Sequence, residues 1–134
     1  MTDSAGGRAR DLGELLGVGF YREFPGSDGD EPSIQEHIGG ETSADKRDVL
    51  HYLRSGAAVI LYKTVAHDVL DETRPVIGPL ELRTDGVHIW RSDLAFYVDR
   101  YNLRLPSQFL DHAVQAAWQI PELDDLSVDA SLGD

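Results

Sequence analysis

Cysteine is absent from this 134-residue sequence, and lysine occurs only twice, as Lys46 and Lys63. Without cysteine the chain has no disulfide framework, no thiolate metal site and no cysteine nucleophile. A Walker-type lysine is also missing, so a nucleotide phosphate has few lysine contacts available. The longest apolar run, 57–62, is far shorter than the about 20 residues that cross a bilayer, and the N-terminus lacks the apolar core of a secretory signal. We therefore expect a soluble, cytoplasmic protein.

Acidic residues outnumber basic ones two to one. Twenty-four aspartates and glutamates stand against twelve lysines and arginines, which leaves a formal net charge of −12 at pH 7. Such a surface repels nucleic acids and anionic membranes, because binding to either relies on lysine and arginine. A basic protein partner is attracted instead, and the attraction speeds its encounter. The alternative is that the acidity only keeps the protein soluble.

The centre of the chain predicts a helix and then a buried strand. The helix is expected over 43–55, with Thr42 or Ser43 as its N-cap and Gly56 as a left-handed stop. The run 57–64 that follows is apolar over its first six residues, with β-branched residues at 59, 60 and 64. A continuous apolar, β-branched run of this length is typical of a central strand.

Two further strands and a helix are predicted next. An extended run over 76–83 leads into a Thr-Asp-Gly turn at 84–86, and 87–90 forms the returning strand. Ser92 then caps a helix over 93–101. Its apolar stripe is Leu94, Tyr97, Val98 and Tyr101, and Asn102 is the expected C-terminal stop.

The two ends of the chain predict less regular structure. The stretch 11–20 predicts a short helix capped near Gly17, and a last helix runs from Pro106 to about Trp118.

Short connections between the strands favour an α+β fold, with an antiparallel three- to four-stranded sheet and helices packed on one face. The expected organisation is a flexible leader (1–10), a single α+β domain (11–120) and an acidic C-terminal tail (121–134).

Part of the sequence resembles a known group of proteins. The resemblance lies in TDGVHIWRSDLAFYVDRY at 84–101, in the Leu-Pro and Phe that follow at 105–109, and in YLRSG at 52–56. These segments resemble a group of small, functionally uncharacterised actinobacterial proteins, over about residues 46–115. The resemblance implies a similar organisation and a bacterial cytoplasmic setting. It includes no catalytic motif, so it implies no activity.

The histidines predict no metal site. They lie far apart along the chain and form neither a HExxH nor a His-x-His pattern. The adjacent pairs His67–Asp68 and Asp111–His112 point in different directions on a regular element. We therefore expect no cofactor and no metal ion. None of the five histidines is expected to be a metal ligand: His37, His51, His67, His88 and His112.

Catalytic patterns are equally scarce. The sequence contains no GxSxG nucleophile elbow. The carboxylates of Asp68, Asp71 and Glu72 beside His67 would suit acid–base chemistry if they were buried. Their segment, however, has the composition of a solvated loop. The prediction is that the protein is not an enzyme and has no catalytic residue.

The leading hypothesis is a cytoplasmic binding protein that inhibits a basic partner, most concretely an immunity protein that neutralises a bacterial toxin. Carboxylates would contact arginines and lysines of the toxin's basic cleft through charge-assisted hydrogen bonds. Trp90 is a candidate apolar anchor if it faces outward, because tryptophan is enriched at interface hot spots. Alternation along 87–90 leaves open which face is covered by the helices. The other candidate contacts are Asp28, Asp30 and Glu31 in one acidic loop, and Asp68, Asp71 and Glu72 in another.

Two alternatives remain open from the sequence. One is a small-ligand-binding protein or enzyme with a pocket near His67 and Asp68, which requires a concave surface there. The other is an adaptor or scaffold domain, which requires a contiguous exposed apolar patch.

Overall fold

The computed structural model of the chain describes residues 12–27, 29–40 and 44–122. The predicted leader, the two predicted N-cap residues Thr42 and Ser43, Asp28, and all but the first two residues of the predicted acidic tail lie outside the described residues. The order of elements is a 3-10 turn (Leu12–Glu14), β1 (Leu16–Val18), a 3-10 turn (Ile34–Glu36), α1 (Lys46–Ser55), β2 (Ala57–His67), β3 (Val76–Thr84), β4 (His88–Arg91), α2 (Leu94–Tyr101) and α3 (Ser107–Gln115). The predicted α+β class is confirmed.

The sheet is mixed, which corrects the prediction of an antiparallel sheet. Its spatial order is β1-β4-β3-β2, with β2–β3 and β3–β4 antiparallel. β1 pairs with β4 in parallel, with Leu16 opposite His88 and Val18 opposite Trp90. The predicted helix over 11–20 is therefore wrong: one 3-10 turn forms, and the chain then extends. Glycines at positions 13, 17 and 19 make a helix costly there, and pairing with β4 buries Val18 instead.

Helix α1 begins and ends by means other than those predicted. The Asp45 side chain accepts a hydrogen bond from the Arg47 amide (2.8 Å) and is the N-cap. Gly56 ends the helix with a φ of −58°, so the predicted left-handed stop is wrong. Glycine is required there for space, because an added Cβ would lie 2.6 Å from Cζ2 of Trp90. The end of α1 is thus shaped by tertiary packing.

Helix α2 has the predicted face and the predicted stop. Leu94, Tyr97 and Val98 are buried, and Asn102 ends the helix in the left-handed conformation (φ 53°, ψ 47°). The predicted cap Ser92 binds strand β3 instead. Its hydroxyl donates to the Pro79 carbonyl (3.1 Å) and accepts from the Glu81 amide (2.9 Å). Among the described residues, no helix has the length and apolar character needed to cross a membrane.

Apolar side chains fill both faces of the sheet. On one face Trp90 is fully buried beside Tyr52 of α1 and Phe109 of α3, and its indole Nε1 donates to the Leu53 carbonyl (3.1 Å). On the other face a smaller cluster forms around Ile89, the next residue along β4. Its members are Leu15, Val59 and Ile89, with Phe20, Ile60 and Leu82 packed against them.

Candidate functional site

The distal half of the β2–β3 pair projects past the end of β4. β4 pairs with β3 only through Leu82, Arg83 and Thr84, whereas β2 and β3 stay paired out to His67 opposite Val76. Residues 61–67 and 76–81 are termed the outer ribbon. Its end is attached to α2 because the Tyr97 hydroxyl donates to the His67 carbonyl (3.2 Å) and accepts from the Val69 amide (2.9 Å).

Exposed apolar side chains are concentrated on the outer ribbon. Of the six large apolar residues that stand exposed in the described part of the chain, four belong to it. Single exposed apolar residues are ordinary on a protein surface, but a group of them marks an interaction site. The four are Leu61 (69% exposed), Tyr62 (45%), Val65 (41%) and Val76 (62%).

β2 is also an edge strand of the sheet. It pairs with β3 along one side, and no other strand of the described residues pairs with its second side. The pairing is irregular at the ribbon: between the pairs Leu61–Glu81 and Val65–Pro79, β2 has three residues and β3 has one. Bulges and the charge of Lys63 reduce indiscriminate pairing, yet backbone donors and acceptors along the edge remain available for a partner strand.

Two adjoining clefts lie along this side of the sheet. The larger, about 520 Å³, is lined by Phe20, Tyr62, Leu82 and Glu31 among others. The smaller, about 400 Å³, includes His67 and Arg74. Pro25, Thr64, Leu80 and Arg91 line both clefts. A concave surface therefore runs beside the outer ribbon, as both a binding protein and a small-ligand site require.

Arg91 at the junction of the clefts already has its charge partner. Its guanidinium makes two hydrogen bonds to the Asp93 carboxylate, each 3.0 Å, and lies 3.9 Å from the centroid of the Phe24 ring. Both charged residues are buried. A bidentate pair of this kind holds the aromatic loop around Phe24 against the sheet and contributes little free charge to a ligand.

The three predicted acidic contacts of the second loop differ in how much of each residue is exposed to solvent. Asp68 is only 1% exposed: its carboxylate accepts hydrogen bonds from the Tyr101 hydroxyl (2.6 Å) and the Leu70 amide (2.9 Å). Asp71 is half-buried, and the hydroxyl and amide of Thr73 donate to it, which lowers the pKa of its carboxyl. Glu72 is exposed. Asp68 thus holds the loop in place, and only Glu72 stands fully at the surface.

The described residues of the first acidic loop lie at or near the surface, whereas Trp90 is buried. Asp30 is exposed, and Glu31 lines the larger cleft while accepting a hydrogen bond from Ser27. Asp28 lies outside the described residues. Trp90 is 0% exposed. The interpretation of Trp90 as an outward anchor is therefore corrected: the helices cover it, because its bulk fills the space between Tyr52 and Phe109.

Residues of both loops line the two clefts, but of the predicted acidic contacts in the described part of the chain only Glu31 does so. Glu31 borders the larger cleft, and the second loop brings His67, Val69 and Arg74 to the smaller one. Comparison with family models, with curated proteins and with solved structures yields no match.

A second group of polar residues is buried where the β3–β4 turn meets α3. The Asp85 carboxylate lies 3.3 Å from Nδ1 of His88 and 3.6 Å from Nε2 of His112. The Tyr52 hydroxyl donates to the same carboxylate oxygen at 2.6 Å. The other oxygen accepts from the Val87 (2.9 Å) and His88 (2.6 Å) amides, so the carboxylate is held on every side.

The electrostatics of this group keep the charge on Asp85. Burial alone would raise the pKa of that carboxyl, but the hydrogen bonds from Tyr52 and from the backbone outweigh burial and lower it. Burial raises the pKa of the Tyr52 hydroxyl, and the neighbouring carboxylate raises it further. The proton therefore stays on Tyr52, and a buried negative charge faces two imidazoles.

Sequence reasoning missed this group because its members come from four elements. Asp85 and His88 are three residues apart, and the turn signal of TDG was the only hint that they meet. Tyr52 lies on α1 and His112 on α3. Only the packing of both helices around Trp90 and Phe109 brings them to the turn.

Proposed function

We propose that this chain is a binding protein that inhibits a basic protein partner, and that the partner docks along the edge of β2. The observation that supports this best is the outer ribbon, where Leu61, Tyr62 and Val65 stand exposed on a strand whose second side pairs with no other described strand. Addition of a partner strand supplies backbone hydrogen bonds, and alternate side chains supply specificity. Apolar contacts at Leu61 and Val76 would add burial energy.

Charge has a separate role in this proposal. The outer ribbon itself includes Lys63, and Glu81 is paired with Arg83 at 2.8 Å, so the contact region is not locally acidic. The net charge of −12 instead acts over the whole molecule. Long-range attraction raises the association rate of a basic partner, while the edge and its apolar residues determine how long the complex lasts.

The most concrete partner of this class is a nuclease-like bacterial toxin, which would make the chain an immunity protein. A nuclease presents lysines and arginines to its substrate, so its surface complements a strongly acidic protein. The half-buried Glu31 lines the larger cleft, and Glu72 is exposed on the second loop. Their carboxylates would pair with such residues of the toxin.

The proposal is tested by capture followed by a matched pair of variants. Tagged chain is used to capture partners at low and high salt, and the binding of any stoichiometric basic protein is measured with purified components. Leu61→Lys should weaken that binding at least tenfold, which corresponds to about 1.4 kcal/mol. Val114→Lys is the control, because Val114 is similarly exposed (54%) but lies on α3.

Each outcome has a distinct meaning. An association rate that falls steeply with salt, together with loss of binding only in Leu61→Lys, supports the proposal. Equal binding by both variants rules out the β2 edge as the docking surface. Self-association of the purified chain that Leu61→Lys abolishes would show that the edge pairs with a second copy. Failure to inhibit a captured toxin would remove the immunity assignment.

A small-ligand role is the second candidate, and one observation favours it. The smaller cleft is lined by His67, although not by the buried Asp68, and its volume of about 400 Å³ falls in the range of ligand sites, about 300–1,000 Å³. Arg74 would supply positive charge for an anionic metabolite. A ligand of this kind should raise the melting temperature of the wild type and not that of Arg74→Ala. No stabilisation by any anion in a metabolite panel would exclude this role.

A further inference from the structure

We propose that Asp85, His88 and His112 form a binding site for a divalent transition-metal ion, with zinc as the best match. This inference goes beyond partner binding and does not depend on it. It also contradicts the expectation from the sequence that the histidines form no metal site because they lie far apart along the chain. The site lies at the base of the β3–β4 turn, on the helix side of the sheet.

The distances between the ligand atoms fit a tetrahedral ion. Bonds of about 2.0–2.1 Å to nitrogen and oxygen place neighbouring ligands of a tetrahedral zinc about 3.3–3.5 Å apart. The carboxylate oxygen Oδ2 of Asp85 lies 3.3 Å from Nδ1 of His88 and 3.6 Å from Nε2 of His112. All three ligand atoms lie within 4.8 Å of one another.

The surroundings are those of a prearranged site. Oδ1 of Asp85 is fixed by two backbone amides, and the Tyr52 hydroxyl donates to Oδ2. Outer hydrogen-bond donors of this kind orient a metal ligand and tune its basicity. The edge of the Phe109 ring packs against the His88 imidazole, with centroids 5.0 Å apart. Carboxylate and imidazole are therefore positioned before any ion arrives.

The donor set selects the class of ion and leaves a position open. Two imidazoles and one carboxylate suit zinc and its neighbours in the transition series, whereas calcium and magnesium take mainly oxygen ligands. Three protein ligands leave the fourth tetrahedral position for water or for a group from a bound molecule. The His112 side chain is 36% exposed, which provides a path from solvent.

The same distances also suit hydrogen bonds from two imidazoles to a lone carboxylate, and the experiment separates the two arrangements. Purified, chelator-treated chain is titrated with zinc against a competing chelating dye, and with cobalt while visible absorption is recorded. We expect one ion per chain, tetrahedral cobalt bands and a higher melting temperature with zinc. Binding stabilises the folded state by mass action.

Two variants make the assignment specific. His112→Gln should weaken zinc binding by more than about 100-fold, since loss of an outer partner alone costs 10–100-fold. His112 is partly exposed, so this variant is expected to fold, which its circular dichroism spectrum checks. His51→Gln is the control, because His51 is exposed on α1 outside the group. No stoichiometric binding, cobalt bands of octahedral type, or equal affinity in His112→Gln would overturn the proposal.

Discussion

Substitution of Gly56 by alanine tests whether the end of α1 is determined by packing. The backbone at Gly56 has a φ of −58°, which any residue can adopt. The added Cβ, however, would lie 2.6 Å from Cζ2 of Trp90, and ordinary carbon contacts are about 3.5–4.0 Å. The indole or the helix end would therefore have to retreat by about 1 Å.

The contacts of the Trp90 indole oppose its displacement. Its Nε1 is bound to the Leu53 carbonyl at 3.1 Å, and the rings of Tyr52 and Phe109 pack on it. Inserting a methyl group into a well-packed core costs about 1–3 kcal/mol. We expect Gly56→Ala to lower the free energy of unfolding by about 2 kcal/mol, measured as a shift of the urea midpoint at constant slope. Gly13→Ala, with open space around it, should cost far less.

A double variant distinguishes steric crowding from a conformational need for glycine. Trp90→Phe removes the outer ring of the indole, to which Cζ2 belongs, and so removes the clash. The cost of Gly56→Ala should then fall by at least half in the Trp90→Phe background, as expected for residues in direct contact. A cost of the same size in both backgrounds, or a single variant as stable as the wild type, would refute the packing argument.

Two further predictions concern carboxylates that accept hydrogen bonds. Tyr101→Phe removes the 2.6 Å donor to the buried Asp68 and should cost about 1–3 kcal/mol in urea unfolding; an unchanged midpoint would mean that the loop is held by other contacts. At Glu23, burial alone would raise the carboxyl pKa, but hydrogen bonds from the Ser33 hydroxyl and the Ile34 amide (2.9 Å) outweigh it and lower the pKa below its ordinary value of 4.5. The stabilising effect of the Glu23 carboxylate is therefore fully present above pH 4.5 and is lost as the pH falls through the lower pKa of the folded state. The difference in unfolding free energy between wild type and Glu23→Gln should consequently shrink on acidification. A difference that grows would contradict this assignment.

Local patterns predicted the middle of the fold well. The apolar spacing of α2 and its stop at Asn102 depend on neighbouring residues. The first long strand follows from a continuous apolar run, and the second from an extended run that leads into a turn. β1 could not be found in this way, because its three residues become a strand only by pairing with β4. The sequence Leu-Gly-Val of this strand is equally compatible with a turn when read alone.

The candidate sites were harder to predict because burial is a tertiary property. Asp68 lies in a stretch whose average composition is that of a solvated loop, yet Tyr101, far along the chain, covers it. His88 and His112 come together because β4 and α3 pack on the same aromatic residues. Conversely, the apolar run of β2 predicted a central strand, but its outer half is exposed at an edge.

The parallel pairing of β1 has a consequence for the order in which the protein folds. From α1 to α3 the chain forms its contacts within one contiguous segment, whereas Leu16 meets β4 across an intervening stretch of roughly 70 residues. Closing so long a loop costs entropy, and the contacts that offset this cost are available only after β4 is in place. We expect β1 to dock last and to open first, so the Leu16 amide, bonded to the Val87 carbonyl at 2.9 Å, should exchange hydrogen early. Opening would expose the free side of β4 together with Ile89, and two copies caught in that state could exchange their N-terminal strands.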